Sequence, residues 1–134
     1  MASNIQEQID HYQSKLAFEM DSWDLYEAQK SNANNVVTLD ARSVQSFDQQ
    51  RIANALSFPH KLMTEENVKD LDRSKLYIVY CDGIGCNAST SAALKMAKLG
   101  FNVRELIGGL RWWKDAGYPL HYGSVDAKES YVAR

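Results

Sequence analysis

A chain of 134 residues with 45% hydrophobic composition is long enough for one domain with its own core. Its net charge of −2 and scattered Lys and Arg supply no basic field, which sets nucleic acid and anionic membrane aside as partners. Two cysteines form no disulfide framework, no apolar run reaches spanning length, and the first residues lack a secretory pattern, so the reducing cytoplasm is the expected compartment.

Residues 1–15 read as an amphipathic helix, with Ile5, Ile9, Tyr12 and Leu16 recurring on one face. That face either packs on the flank of the domain or joins two copies as a homodimer. Leu16, Phe18 and Met20 then alternate as in a short strand. Asp21 can cap a helix from Ser22 to about Lys30, ended by the polar stretch 31–35. Val36 to Leu39 reads as a buried strand that delivers Asp40 and Arg42 at its carboxyl end. Ser43 can cap a helix carrying Val44, Phe47 and Ile52, and Ala55 to Phe58 is a strand stopped by Pro59, with His60 following. Thr64 can cap a helix holding Val68 and Leu71 before the central strand, Lys75 to Tyr80.

Ala92, Ala93, Met96 and Leu99 mark the inner stripe of the next helix, which Gly100 ends. Val103 to Ile107 reads as a last strand, Gly108-Gly109 as a sharp turn, and Leu110 to Ala116 as a closing helix. Trp112 and Trp113, as helix neighbours, must divide between core and pocket rim. The domain spans 16–122, and 123–134 reads as a peripheral tail. Alternating strands and helices predict an α/β fold with a parallel sheet and helices on both faces.

The chemistry-bearing stretch is the strand ending in Cys81, the loop Asp82-Gly83-Ile84-Gly85-Cys86, and the helix entered through Asn87 and Ala88. A parallel strand feeding a helix aims backbone N–H groups and the positive end of the helix dipole at one spot. Gly83 and Gly85 are expected to take positive φ and curl those amides inward, and the dipole to lower the Cys81 pKa. The plain alternative is a buried small residue at a strand end. Cys86 either packs or resolves a persulfide or sulfenate on Cys81 by forming a disulfide. Asp40 and Arg42 read as a network bracing the loop.

Leu39-Asp40-Ala41-Arg42 with Ser43 and Phe47, Ile52-Ala53-Asn54-Ala55 leading to Pro59-His60, and Val79-Tyr80-Cys81 come in a recognisable order. So do Ser89 with Ala92-Ala93, Leu99-Gly100-Phe101, and Leu106-Ile107-Gly108-Gly109-Leu110 with Trp112 and Trp113. The chain thereby resembles a single-domain member of the rhodanese (thiosulfate sulfurtransferase-like) family. The resemblance implies a five-stranded parallel sheet flanked by helices, and a sulfane sulfur carried on Cys81 as a persulfide. It departs from the family pattern in a longer loop between Cys81 and Ser89 with no Arg or Lys in it. Anion binding is then left to backbone amides or to Arg42 or Arg111, with Asp82 pointing outward. The related phosphatases and arsenate reductases clamp their oxyanion with a loop arginine, which is absent here.

Three functions stay in contention: a sulfurtransferase passing sulfur from thiosulfate or a persulfide to a thiophilic acceptor, a non-catalytic protein-binding or carrier module, and a Cys81/Cys86 thiol-redox protein. The partners expected are a small sulfur donor and acceptor or a persulfide-bearing protein. No cofactor is implied, and with three dispersed histidines no four-ligand metal site is either.

Overall fold

The computed structural model describes residues 3–31, 34–123 and 131–134. Its strands are β1 (Glu19–Met20), β2 (Val36–Asp40), β3 (Gln50–Ile52), β4 (Leu56–Ser57), β5 (Leu76–Tyr80), β6 (Asn102–Leu106) and β7 (Leu120–Tyr122). Five of them make one all-parallel sheet in the order β1-β6-β5-β2-β4. The helices are α1 (Ser3–Phe18), α2 (Ser22–Ser31), α3 (Val44–Gln49), α4 (Glu65–Val68), α5 (Ala88–Lys98) and α6 (Gly109–Asp115).

Strand alternation sorts the apolar residues into two cores. On one face Ile78 and Tyr80 of β5 pack with Leu25 of α2, Phe47 of α3 and Trp113 of α6. On the other, Tyr77 and Val79 pack with Val68 of α4 and Ala92 and Met96 of α5. Capping fixes the helix starts as the sequence suggests. The Asp21 carboxylate accepts from the Asp24 N–H at 2.8 Å, the Ser43 hydroxyl from Ser46 at 3.2 Å, and the Thr64 hydroxyl from Asn67 at 3.3 Å. Trp113 is buried and its Nε1 donates to the Pro119 carbonyl at 2.8 Å, while Trp112 is exposed.

Three expectations change. The alternation at Leu16, Phe18 and Met20 is not a strand through its length, because α1 continues to Phe18 and only Glu19 and Met20 pair, with Glu105 and Leu106. The stripe of Ile5, Ile9, Tyr12 and Leu16 does not pack on the flank but faces solvent. Ile52 lies outside α3: Gln50 turns extended, and the Arg51 guanidinium holds the helix end by donating to the Phe47 carbonyl at 3.0 Å. Gln50 to Ile52 then pair antiparallel with β7.

Of the stretch 31–35, residues 32–33 lie outside the described residues, and of the tail 123–134, residues 124–130 do. Where the tail is described it packs on the domain. Tyr131 bridges to Ser57 beyond β4, its hydroxyl donates to Asp48, and Val132 N–H donates to the Ser57 carbonyl at 2.9 Å.

The turn into α6 is where glycine is required. Gly109 has φ of +54°, and a Cβ there would stand 2.3 Å from the Cys81 carbonyl oxygen. Gly109→Ala is expected to lower the unfolding free energy by about 2 kcal/mol or more. Gly117→Ala, at φ +81° with open space around it, should cost only about 1 kcal/mol, and urea titration of both variants checks the contrast.

Candidate active site

The carboxyl ends of β2, β5 and β6 form one edge, and the site is built from what they deliver there. Asp40, fully buried at the end of β2, accepts from the Arg42 guanidinium at 2.7–3.2 Å and from the Tyr80 hydroxyl at 2.9 Å. Arg42 also donates to the Gln50 carbonyl at 2.5 Å and to Asp82 at 3.1 Å. Burial opposes the charge on Arg42, but the bonds and charge of Asp40 outweigh it and raise the guanidinium above its ordinary value. Burial, with the Asp40 charge added, pushes the Tyr80 phenol well above its usual range. The Asp82 side chain is held on this outer side, 72% exposed, turned toward Arg42.

Two helix starts hold the thiol loop. The first amides of α6 are spent on its backbone: Leu110 N–H donates to the Cys81 carbonyl and Arg111 N–H to the Asp82 carbonyl, both at 2.9 Å. At the start of α5, Asn87 precedes the helix without a side-chain cap, and Ala88 opens it. The loop curls through a turn in which Cys86 N–H donates to the Gly83 carbonyl at 3.2 Å. Gly85 takes φ of +95° as expected, whereas Gly83 does not take positive φ. Gly83 is small for another reason: a Cβ there would lie 3.3 Å from both the Gly108 carbonyl and the Arg111 side chain. Ile84 points from the loop into solvent.

Cys81 sits at the floor of this loop, only 1% exposed, its Sγ 3.1 Å from the Cys86 carbonyl oxygen and 3.3 Å from Ser89 Oγ. The sulfur lines a cavity of about 300 Å³ walled by Gly83 to Asn87, by Ser89 and Thr90, and by Glu19 and Glu105. Ser89 and Thr90 each donate a hydroxyl hydrogen bond at 2.8 Å to Glu105 Oε2. Cys86 is half-buried and lines the same cavity.

The electrostatics reverse one expectation. Burial pushes the Cys81 thiol up and the Cys86 thiol adds to the effect, while Ser89 offsets them only in part. At Cys86 burial also acts upward, but the bond from Cys81 and the backbone N–H groups of Ala88 and Asp82 hold its thiol below the ordinary value. Of the amides expected to serve Cys81, those of Asp82 and Ala88 serve Cys86, and the Ser89 N–H is left to act on Cys81. Nor do the two candidate cations reach the cavity: Arg42 is committed to Asp40, Asp82 and Gln50, and Arg111 lies 3.1 Å from Asp115. His60 lies apart too, its carbonyl accepting from Lys95 at 2.9 Å.

Sequence reasoning passes over Glu105. Its register was the available signal, since β6 lies beside β5 with Glu105 paired to Val79, two residues before the thiol. Among the described residues no cluster of three His, Cys, Asp or Glu is placed to hold a metal ion, and no helix is long and apolar enough to cross a membrane.

A parallel sheet whose central strand ends in a loop-enclosed cysteine defines a class of thiol-bearing α/β proteins, and the comparisons narrow it. The sequence matches the rhodanese-like domain family over residues 24–116. It is 31% identical over 113 residues to the thiosulfate sulfurtransferase GlpE of Coxiella burnetii, covering 83% of this chain and 92% of the relative. The BH2092 protein of Bacillus halodurans superposes with a TM-score of 0.83 at 34% identity, over 92% of this chain and 93% of that one. A rhodanese-related protein of Thermoplasma volcanium gives a TM-score of 0.67 at 31% identity, over 78% and 97% of the two chains. The chain belongs to the rhodanese-like domain family.

Arg42→Ala is expected to cost about 3 to 5 kcal/mol in urea unfolding, because it strands the buried Asp40 charge. Asp82→Asn, at the exposed end of the same network, should cost under about 1 kcal/mol. In a second test, iodoacetamide modification followed by peptide mass spectrometry should label Cys86 first at neutral pH. Cys81 labelling should rise only as the pH climbs above the ordinary thiol pKa, because a raised pKa moves thiolate formation to higher pH.

Proposed function

We propose that the protein is a sulfurtransferase that carries sulfane sulfur as a persulfide on Cys81. The observation that carries this reading is the Cys81 sulfur at the floor of a cavity of about 300 Å³ whose walls are the loop and the Ser89 hydroxyl. In the step proposed, the Cys81 thiolate attacks the outer sulfur of a donor. A Cys81 Sγ–S bond forms, the donor's own bond to that sulfur breaks, and its electron pair leaves on sulfite from thiosulfate or on a thiolate from a persulfide. A thiol acceptor then removes the outer sulfur. The name of the Coxiella relative supports thiosulfate as donor, while a cavity walled by two glutamates favours a persulfide.

A second reading rests on Cys86. Its sulfur shares the cavity with Cys81 and is held toward the thiolate form, so it can attack Cys81 Sγ of the persulfide, expel hydrosulfide and close a disulfide. A dithiol reductant would reopen that bond. Two free thiols in this role suit a reducing compartment such as the cytoplasm.

Intact-protein mass spectrometry after brief exposure to thiosulfate or to polysulfide separates these readings. A gain of about 32 Da that is lost in Cys81→Ser and discharged by cyanide is the expected result. A loss of about 2 Da would instead indicate the disulfide. No change with either donor would overturn both and leave a binding module. In Cys86→Ser the persulfide on Cys81 should decay more slowly, and unchanged decay removes the resolving step.

A further inference from the structure

We infer that Glu105 selects the sulfur acceptor by charge, favouring a low-molecular-weight thiol that bears a protonated amine. The inference rests on the persulfide reading above.

The argument is one of uncompensated charge beside a nucleophile. Among the described residues, the Glu105 carboxylate is bound only by the neutral hydroxyls of Ser89 and Thr90, both on Oε2 at 2.8 Å, and Ser89 Oγ is itself 3.3 Å from Cys81 Sγ. No Lys, Arg or His lines the cavity. Its other carboxylate, Glu19, is already answered by Lys15, whose ammonium lies 3.0 Å from both oxygens. Glu105 is therefore the carboxylate whose charge remains for an incoming molecule, and a persulfide on Cys81 would add a second negative charge beside it.

An acidic thiol approaching that sulfur meets repulsion, whereas an ammonium a few bonds from the thiol meets attraction. A unit charge held this near at protein-surface dielectric changes a rate by about tenfold or more. The body of the acceptor has a place as well. A groove of about 560 Å³ adjoins the cavity, sharing Glu19 and Glu105 as walls and lined beyond them by Phe18, Phe101 and Val103, with Lys15, paired to Glu19, and His11 at its α1 side.

The step balances without an outside oxidant or reductant. The acceptor thiolate bonds to the outer sulfur, the bond between that sulfur and Cys81 Sγ breaks, and the electron pair returns to Cys81 as thiolate. The acceptor leaves as a persulfide. An ammonium near the acceptor thiol also lowers its pKa and supplies more of the attacking thiolate.

The test loads Cys81 to completion with polysulfide, removes the donor, and measures discharge by 2-aminoethanethiol, 2-mercaptoethanol and 3-mercaptopropionate, with rates expressed per thiolate. Wild type is compared with Glu105→Gln, which keeps an oxygen for Ser89 and Thr90 and removes only the charge. The ratio of amine-bearing to carboxylate-bearing thiol rates should fall about tenfold in Glu105→Gln and less in Glu19→Gln. Should Glu105→Gln fail to fold, raising the salt concentration on wild type should narrow the same ratio, because it screens the same field. An unchanged ratio in a loaded, folded Glu105→Gln protein, or in wild type at high salt, overturns the inference alone. Absence of the sulfur adduct before any thiol is added overturns the persulfide reading and the inference with it.

Discussion

Asp40 carries a charge where no water reaches, and the guanidinium of Arg42 and the hydroxyl of Tyr80 hold it there. Few buried carboxylates are stable without such partners. Because Arg42 also reaches Gln50 and Asp82, one side chain ties the end of β2 to the start of β3 and to the first residue after the thiol. Tyr80, adjacent to Cys81, is fixed through the same carboxylate and accepts the Ile52 N–H at 3.2 Å. The position of the sulfur is thus set by a buried ionic network on the side opposite the cavity. Asp82 is drawn outward with it, which keeps its carboxylate off the thiol.

The other side of the loop follows a different logic. In the sequence the strand, thiol, glycines and helix suggest a cysteine activated by amides and a helix dipole. The folded chain instead spends the first amides of α6 on the carbonyls of Cys81 and Asp82, and divides those of the loop and α5 between the two thiols, Asp82 and Ala88 to Cys86 and Ser89 to Cys81. Cys81 is left buried among the Cys86 carbonyl, Ser89 and a carboxylate beyond. Burial holds such a thiol toward its protonated form, while the bonds to its neighbour favour the thiolate there. The two cysteines therefore divide burial and reactivity between them.

How much of this the sequence shows depends on whether a feature is local. The caps at Asp21, Ser43 and Thr64 and the alternation of Tyr77 to Tyr80 are local, so the helix starts and the central strand are legible. The break between α3 and β3 is not, because it depends on Arg51 turning back to the Phe47 carbonyl and on pairing with residues 120–122 far along the chain. Gly83 looks like a residue needed for its φ, yet what favours a small residue there is the close approach of the Gly108 carbonyl and the Arg111 side chain. Glu105 escapes notice for the same reason: it meets Ser89 only once β6 lies beside β5. The electrostatic state of Cys81 depends on its burial and on how the loop folds Cys86 and Ser89 back against it, which spacing alone does not show.

The return of the chain at Tyr131 and Val132 has a consequence for solubility. β4 is an edge of the main sheet, and such an edge presents unpaired N–H and C=O groups that can recruit a strand from another molecule. Val132 occupies the Ser57 carbonyl and Tyr131 bridges alongside, so the last residues act as a cover over that edge. Loss of residues 131–134 would leave the thiol loop intact and still uncover a surface prone to intermolecular strand pairing.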